Sequence, residues 1–491
     1  MARDNGGIIG VTNNPTSSTA TGVWSIESQY QARVGDTWPQ RALFTTKSLR
    51  FNPASSDYLN RTPSSVGNRR TATFSCWFKR SLITSAQTLF WAGSDNSNYQ
   101  TFPRFLANDK IVVAEINSGS TTWEIFTNRQ FRDVGAWYHI VVALDTTQST
   151  AANRVKIYVN GVQETSLNID GGYPGQNRDT LINTAVPHQI GHDYVAQYYG
   201  GYTAESILID GQALTPTSFG ETNSDSGIWI PKTITGLTFG TNGYYLKNAN
   251  AGALGTDSSG QSNNLTVNNL TSIDQSSDSP SNNFATMNPL DNFYYNGVFS
   301  EGNLKIINGS GREAGATSTI ALSSGKWFWE AKPKSNVAPV IGIQPAPSAA
   351  NTSSSPSMQV NGFGYLKTGK VETSNGSGGS TVLASYATYA ADNIIGVALD
   401  LDSSQAKIYF YKNGALQGSG VNITSASATT NGHYFVGFGV LGGQDTFEIN
   451  FGSPPYANSS GNADSSGFGN FEYAVPTGYL SLCTNNLNLL G

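Results

Sequence analysis

Charge, sulfur and histidine are scarce in this sequence. Charged residues make up 12% of the 491 positions, against about 25% in an ordinary globular protein. Disorder is nevertheless excluded, because aromatic residues reach 11% and apolar residues 38%, enough to build cores. The net charge of -5 and the pI near 5.4 lack the basic field that nucleic-acid binding requires, so DNA and RNA are not expected ligands. Only two cysteines occur, Cys76 and Cys483, at opposite ends of the chain. They can form neither a disulfide framework nor a four-ligand zinc site, and are read as buried thiols. No apolar run approaches the roughly 18 residues of a membrane span, and Met1 to Gly10 lacks the apolar core of a signal peptide. Membrane insertion and export by the usual route are therefore not expected.

What is plentiful is glycine, with 53 residues, together with serine, threonine and asparagine. That composition favours short strands and many turns over long helices, so the expected fold is all-β. Strand-like runs recur at 72–78, 110–116, 123–126, 137–144 and 155–159. In the last, Val155, Ile157 and Val159 alternate with Lys156 and Tyr158 and then meet Asn160-Gly161, a strong hairpin signal. The second half repeats this grammar at 326–330, 340–343, 394–401, 407–411, 434–440 and 446–451, with a hairpin at Asn413-Gly414.

Four segments follow. Residues 1–40 are a polar peptide with isolated apolar anchors, Ile8, Ile9, Val23, Trp24, Tyr30 and Trp38. They carry too little apolar area to fold alone, and two tryptophans are costly to leave wet. A short helix capped by Ser25 and stopped by Gly35 needs a surface to pack on. The peptide is read as docking to another protein, the alternative being a strap on the following domain. Residues 41–250 form a first β-domain, 251–290 a Ser/Asn/Asp-rich linker, and 291–491 a second β-domain. Val142-Ala143-Leu144-Asp145 and Lys156-Ile157-Tyr158 recur as Val397-Ala398-Leu399-Asp400 and Lys407-Ile408-Tyr409, too far apart for a solenoid repeat. Two domains of one architecture explain the echo, most simply two antiparallel jelly-roll β-sandwiches in tandem behind the extended N-terminal peptide.

The blocks Ser48-Leu49-Arg50-Phe51, Asp57-Tyr58-Leu59, Thr73 to Phe78, Trp137 to Val142 and Val155 to Gly161 resemble a laminin-G-like domain of the concanavalin A-like superfamily. The second half resembles a SPRY (B30.2) domain through Ser324 to Glu330, Ile341-Gly342-Ile343, Gly364-Tyr365 and Asn393 to Asp400 followed by Lys407 to Gly414. The pairing, with Gly22-Val23-Trp24-Ser25 to Trp38-Pro39 ahead of it and Asp278 to Leu290 between, is similar to virion proteins of tailed phages of marine and freshwater bacteria. That resemblance implies a fibre or appendage component, assembled in the host cytoplasm, whose partners are other virion proteins and a host-surface glycan or protein, and which is homo-oligomeric.

Hydrolase chemistry finds little footing. No Glu-x-Asp-x-x-Glu strand gathers the paired carboxylates of a glycosidase, and Asp400-Leu401-Asp402 reads as an Asp-rich turn. No serine stands in a Gly-x-Ser-x-Gly elbow. The chain is expected to bind and not to catalyse. His188 and His192 lie four apart, but Pro187 and Gly191 argue against the helix on which that spacing makes a metal pair. No cofactor is expected from the residues; the laminin-G resemblance makes Asp95, Asn96 and Asp193 candidate calcium ligands at the sandwich rim, the alternative being a solvated turn. Sugars stack on aromatic rings while amides reach their hydroxyls, and Tyr194, Tyr198, Tyr199 and Tyr202 around Gly200-Gly201 are the densest such group. They are the candidate glycan or partner contacts, with packing or rim filling as the alternative. Host-surface attachment is the expected function, beside a purely structural capsid-decoration or tail-connector role and a polysaccharide depolymerase.

Overall fold

A computed structural model describes residues 16, 28, 31–32, 45–224, 226–294, 297–307, 314–335, 339–347, 360–374, 379–440 and 446–490. The anchors Ile8, Ile9, Val23, Trp24, Tyr30 and Trp38 lie outside the described residues.

The fold is all-β, of concanavalin A-like sandwich form, and among the described residues it comprises two pairs of facing sheets and a two-stranded ribbon of Gly220–Thr222 with Trp229–Pro231. The first pair has eight and nine strands and closes on a core where Phe51, Phe74 and Phe78 of one sheet meet Phe90, Phe105 and Trp123 of the other. The second has seven and nine strands around Trp327, Trp329, Ile341 and Tyr365. Trp327 and Trp329, two apart on Lys326–Pro333, share the inward face as strand periodicity requires. Among the described residues strand pairing is antiparallel except where Leu480–Ser481 lies parallel to Lys326–Pro333. Both cysteines are free and buried, and burial pushes the Cys76 thiol up to about 12 and the Cys483 thiol to about 11.

The echoed sequences occupy equivalent places. Tyr138–Asp145 lies between Thr71–Arg80 and Val155–Val159, as Ile395–Asp400 lies between Lys326–Pro333 and Lys407–Lys412. Both hairpins turn on Asn-Gly in the left-handed region, at φ 47° and 82° for Asn160 and Gly161 and 49° and 79° for Asn413 and Gly414. In each, the Asn carboxamide accepts a backbone N–H from the neighbouring strand, His139 at 2.8 Å and Ile394 at 2.9 Å.

The segment 251–290 is not a linker. Thr266–Asn268 pairs with Tyr58–Arg61 and Gln275–Ser276 with Ser48–Phe51, while Leu254, Leu265 and Leu270 enter the first core. Its polar side chains satisfy backbone groups within it and beside it: the Asp257 carboxylate accepts the N–H groups of Ser259 and Asn263 and of Tyr245 in the neighbouring strand, and Thr271 with Asp274 forms a capping box. The first strand of the second sheet pair, Met287–Tyr294, also runs across the expected boundary at 290/291.

The two sheet pairs meet through buried polar groups. Lys79 Nζ donates to Asp278 Oδ2 at 2.7 Å, Asn283 Oδ1 at 2.7 Å and Phe284 O at 3.1 Å, so all three ammonium protons are used. Arg50, fully buried, donates Nη1 to Pro454 O and Nη2 to Ile273 O, both at 3.1 Å, and its Nε lies 3.3 Å from Glu301 Oε2. Ser276 Oγ and Ser453 Oγ are 2.6 Å apart across the same junction.

Candidate functional site

Register places a row of polar residues on the outer face of the nine-stranded sheet of the first sandwich. Thr266 is opposite Asn60, Asn60 opposite Gln189, and Gln189 opposite Trp91. The adjoining row, Leu59, Ile190 and Phe90, points into the core, and strand alternation sends Asn60 and Gln189 the other way. Tyr58 and Asn268, paired in register, extend this outer surface.

Beside it three half-buried rings cluster, His192 stacked on Tyr198 and tilted against Tyr58. His192 lies 4.4 Å from Tyr198 and 4.7 Å from Tyr58 between ring centroids, with interplanar angles of 29° and 33°. His192 Nδ1 donates to Gln189 Oε1 at 2.9 Å, which leaves Nε2 as an acceptor. Burial lowers the His192 pKa, partly offset by the Asp193 charge, so the imidazole is neutral at neutral pH. Tyr194, two residues along the chain from His192, is 57% exposed. The patch therefore offers ring faces for apolar C–H surfaces, with amide and imidazole groups that exchange hydrogen bonds with hydroxyls.

Asp193 shapes the loop that carries these tyrosines. Its carboxylate accepts the N–H groups of Val195 at 3.1 Å and Gln197 at 2.9 Å and the Thr88 hydroxyl at 2.8 Å. Gly191, at φ 86°, begins the loop; a Cβ there would lie 2.8 Å from the Phe51 ring, so glycine is required by both conformation and space.

The four tyrosines expected as contacts divide two and two. Tyr194 and Tyr198 face outward, whereas Tyr199 and Tyr202 are buried, at 0% and 1% exposure, and are corrected to structural roles. Tyr199 donates its hydroxyl to Lys79 O at 2.9 Å and packs against Phe51 and Phe105. Tyr202 donates to Gly302 O at 3.0 Å and so joins the two sandwiches. Tyr202 is buried because Gly201–Asp210, in which it lies, is buried along its whole length, and Tyr199, just ahead of that strand, turns into the core of the first sandwich.

Of the candidate calcium ligands, Asp193 spends its oxygens as above. Asp95 accepts the N–H groups of Ser97 at 2.7 Å and Asn98 at 2.8 Å, the hydrogen bonds of a tight Asx turn. Asn96 accepts only from the Ser97 hydroxyl, at 3.4 Å. Among the described residues no three His, Cys, Asp or Glu side chains gather as a metal cluster. Asp400 is likewise occupied by Asp402 N, the Ser403 N–H and hydroxyl, and Lys326 Nζ at 2.9 Å, and Asp402 accepts Gly325 N. His188 is buried, its Nε2 accepting Asn183 N while Nδ1 donates to Val186 O.

Sequence reasoning missed Tyr58 and His192 as parts of the patch. Tyr58 belongs to the laminin-G-like block Asp57-Tyr58-Leu59, but nothing local says that its strand pairs with His188–Ile190, which is what brings His192 to it.

The two sheet pairs define an all-β protein of concanavalin A-like sandwich fold. Residues 53–217 match the concanavalin A-like lectin/glucanases superfamily. No curated protein matches the chain. Among solved structures, domains LG4-5 of the mouse laminin alpha1 chain share 9% identity at a TM-score of 0.29, covering 90% of this chain and 89% of that one. The SPRY domain of human HERC1 shares 12% identity at a TM-score of 0.26, over 33% of this chain and 96% of that one. Domain 4 of AbnA, an extracellular arabinanase of Geobacillus stearothermophilus solved with arabinotriose, shares 18% identity at a TM-score of 0.24, over 32% and 67%.

Proposed function

We propose that this chain is a non-enzymatic, homo-oligomeric phage virion protein, a tail fibre or appendage component that docks to the particle through residues 1–40 and attaches to host-surface glycan. The observation that carries the attachment reading is the Tyr58–His192–Tyr198 cluster beside Asn60, Gln189 and exposed Tyr194. The lectin superfamily match over the sandwich bearing this patch supports it. A neutral site of rings and amides suits uncharged sugars, and a low-charge surface spares the chain non-specific ionic contacts. The virion role is supported by the resemblance of the paired domains and leading peptide to tailed-phage proteins. The carboxylates Asp400 and Asp402, engaged in turn hydrogen bonds, favour binding over depolymerisation. A purely structural capsid-decoration or tail-connector role draws support from the buried polar junction, which suits a load-bearing unit.

Fluorescently labelled full-length protein and a Tyr194→Ala/Tyr198→Ala variant are compared for binding to host cells. At least a tenfold loss with unchanged melting supports attachment; equal binding overturns it in favour of the structural role. Mass spectrometry of purified particles tests the virion assignment, which falls if the chain is missing from them.

A further inference from the structure

A cleft of about 190 Å³ opens between the two sandwiches. Ser272, Gln275 and Ser277 line it from one side and Pro454, Tyr456 and Asn470 from the other. Its walls are tied from behind by one residue, since buried Arg50 donates to Ile273 O on the first wall and to Pro454 O on the second. The guanidinium charge is answered there by Asp274 and Glu301, and no lining side chain is charged. The Tyr456 hydroxyl points away from the cleft's needs, toward Glu330 Oε2 at 3.4 Å. Gln275 Nε2 holds Asn248 O, and Ser277 uses its backbone N–H on Ser453. The Ser272 and Ser277 hydroxyls and the Asn470 carboxamide make no side-chain hydrogen bond to another described residue, although the Asn470 carbonyl accepts from Asn450 and Asn458.

We propose that this cleft binds one uncharged, polyhydroxylated ring, a single neutral sugar residue, at a site distinct from the aromatic patch. Donors and acceptors on both walls are free to meet hydroxyls, and the cleft surface is mainly polar, as a ring rich in hydroxyls requires. The volume lies below the ~300–1,000 Å³ of ordinary small-molecule pockets and is of the order that a single ring occupies. With no cation on the walls, a uronic or sialic acid would lose its carboxylate hydration without a partner. Because both sandwiches contribute walls, the site exists only in the full chain. The choice of sugar as ligand class rests on the attachment reading above; the cleft's geometry does not.

The test uses full-length protein and isothermal titration with the methyl glycosides of glucose, galactose, mannose and N-acetylglucosamine, with methyl glucuronide as the charged control. We expect at least one neutral glycoside to bind at least tenfold tighter than the glucuronide. Asn470→Ala and the cleft-filling Ser277→Phe should each weaken it at least tenfold, whereas Tyr198→Ala should leave it unchanged. Asn470 is half-exposed, so its variant remains informative should Ser277→Phe fold poorly. No binding by any neutral glycoside, or affinity indifferent to both cleft variants, overturns the proposal. Cell adsorption that persists in those circumstances leaves the attachment reading standing, so the two failures are distinguishable.

Discussion

Lys79 and Asp278 form a nearly dry ion pair, Nζ to Oδ2 at 2.7 Å, with side-chain exposures of 1% and 2%. The same carboxylate accepts Trp137 Nε1 at 2.9 Å, so Asp278 ties the strand Thr71–Arg80 and the residue just ahead of Tyr138–Asp145 to the segment that leads into the second sandwich. Removing one partner strands the other charge in a desolvated site, at a cost of about 3–5 kcal/mol. We predict that Lys79→Met lowers the free energy of urea unfolding by that order. A cost under about 1 kcal/mol would mean that water reaches the pair.

Tyr202→Phe should cost about 1 kcal/mol, because Gly302 O loses its donor in a buried place. Host-cell binding should be unchanged, since the ring does not reach the surface. Reduced binding at equal stability would return Tyr202 to the list of contacts.

Gly191→Ala should destabilise by about 1–3 kcal/mol, from the left-handed φ of 86° and the overlap with Phe51. It should also weaken cell binding, because the loop it begins carries Tyr194 and Tyr198. A Tm equal to that of the parent would contradict the backbone argument.

Glu205 lies buried in a bulge of Gly201–Asp210, hydrogen-bonded by Tyr245 Oη–H, and burial raises its pKa to about 7. The unfolded carboxyl titrates near 4.5, so the unfolded chain releases its proton first and stability from this group falls as pH rises from there through about 7. Glu205→Gln should therefore raise Tm at pH 8 relative to the parent and leave it nearly unchanged at pH 4. The reverse order of the two shifts would show the carboxyl to be stabilised as an anion.

His139 has the opposite sign. It is fully buried between Trp77 and Trp229, accepts Trp229 Nε1–H at Nδ1, and burial lowers its pKa to about 3. The unfolded imidazole protonates near 6.5, so stability from the neutral ring is fully present above that pH and is lost as pH falls toward 3. Chemical denaturation between pH 4 and 7 should show a shallower acid limb for His139→Gln. An acid limb of equal slope would remove His139 as its source.

Much of the architecture was legible because its signals are local. Asn160-Gly161 and Asn413-Gly414 specify their turns within two residues, since only such pairs accept left-handed φ at both positions. Alternation in Val155–Val159 reports which face is wet. The polar segment 251–290 was misread because composition does not distinguish a solvated connector from one whose side chains satisfy backbone groups within it and beside it while a few leucines enter a core.

The sequence by itself determined strand identity, turn positions, the all-β class and the echo between the halves, since these depend on residues a few places apart. Tertiary structure decided which of Tyr194, Tyr198, Tyr199 and Tyr202 reach solvent, that Tyr58 meets His192, and that Lys79 finds Asp278. Burial and charge pairing follow from which strands lie side by side, and that arrangement is set by the free energy of the whole packed sandwich rather than by any short stretch of chain.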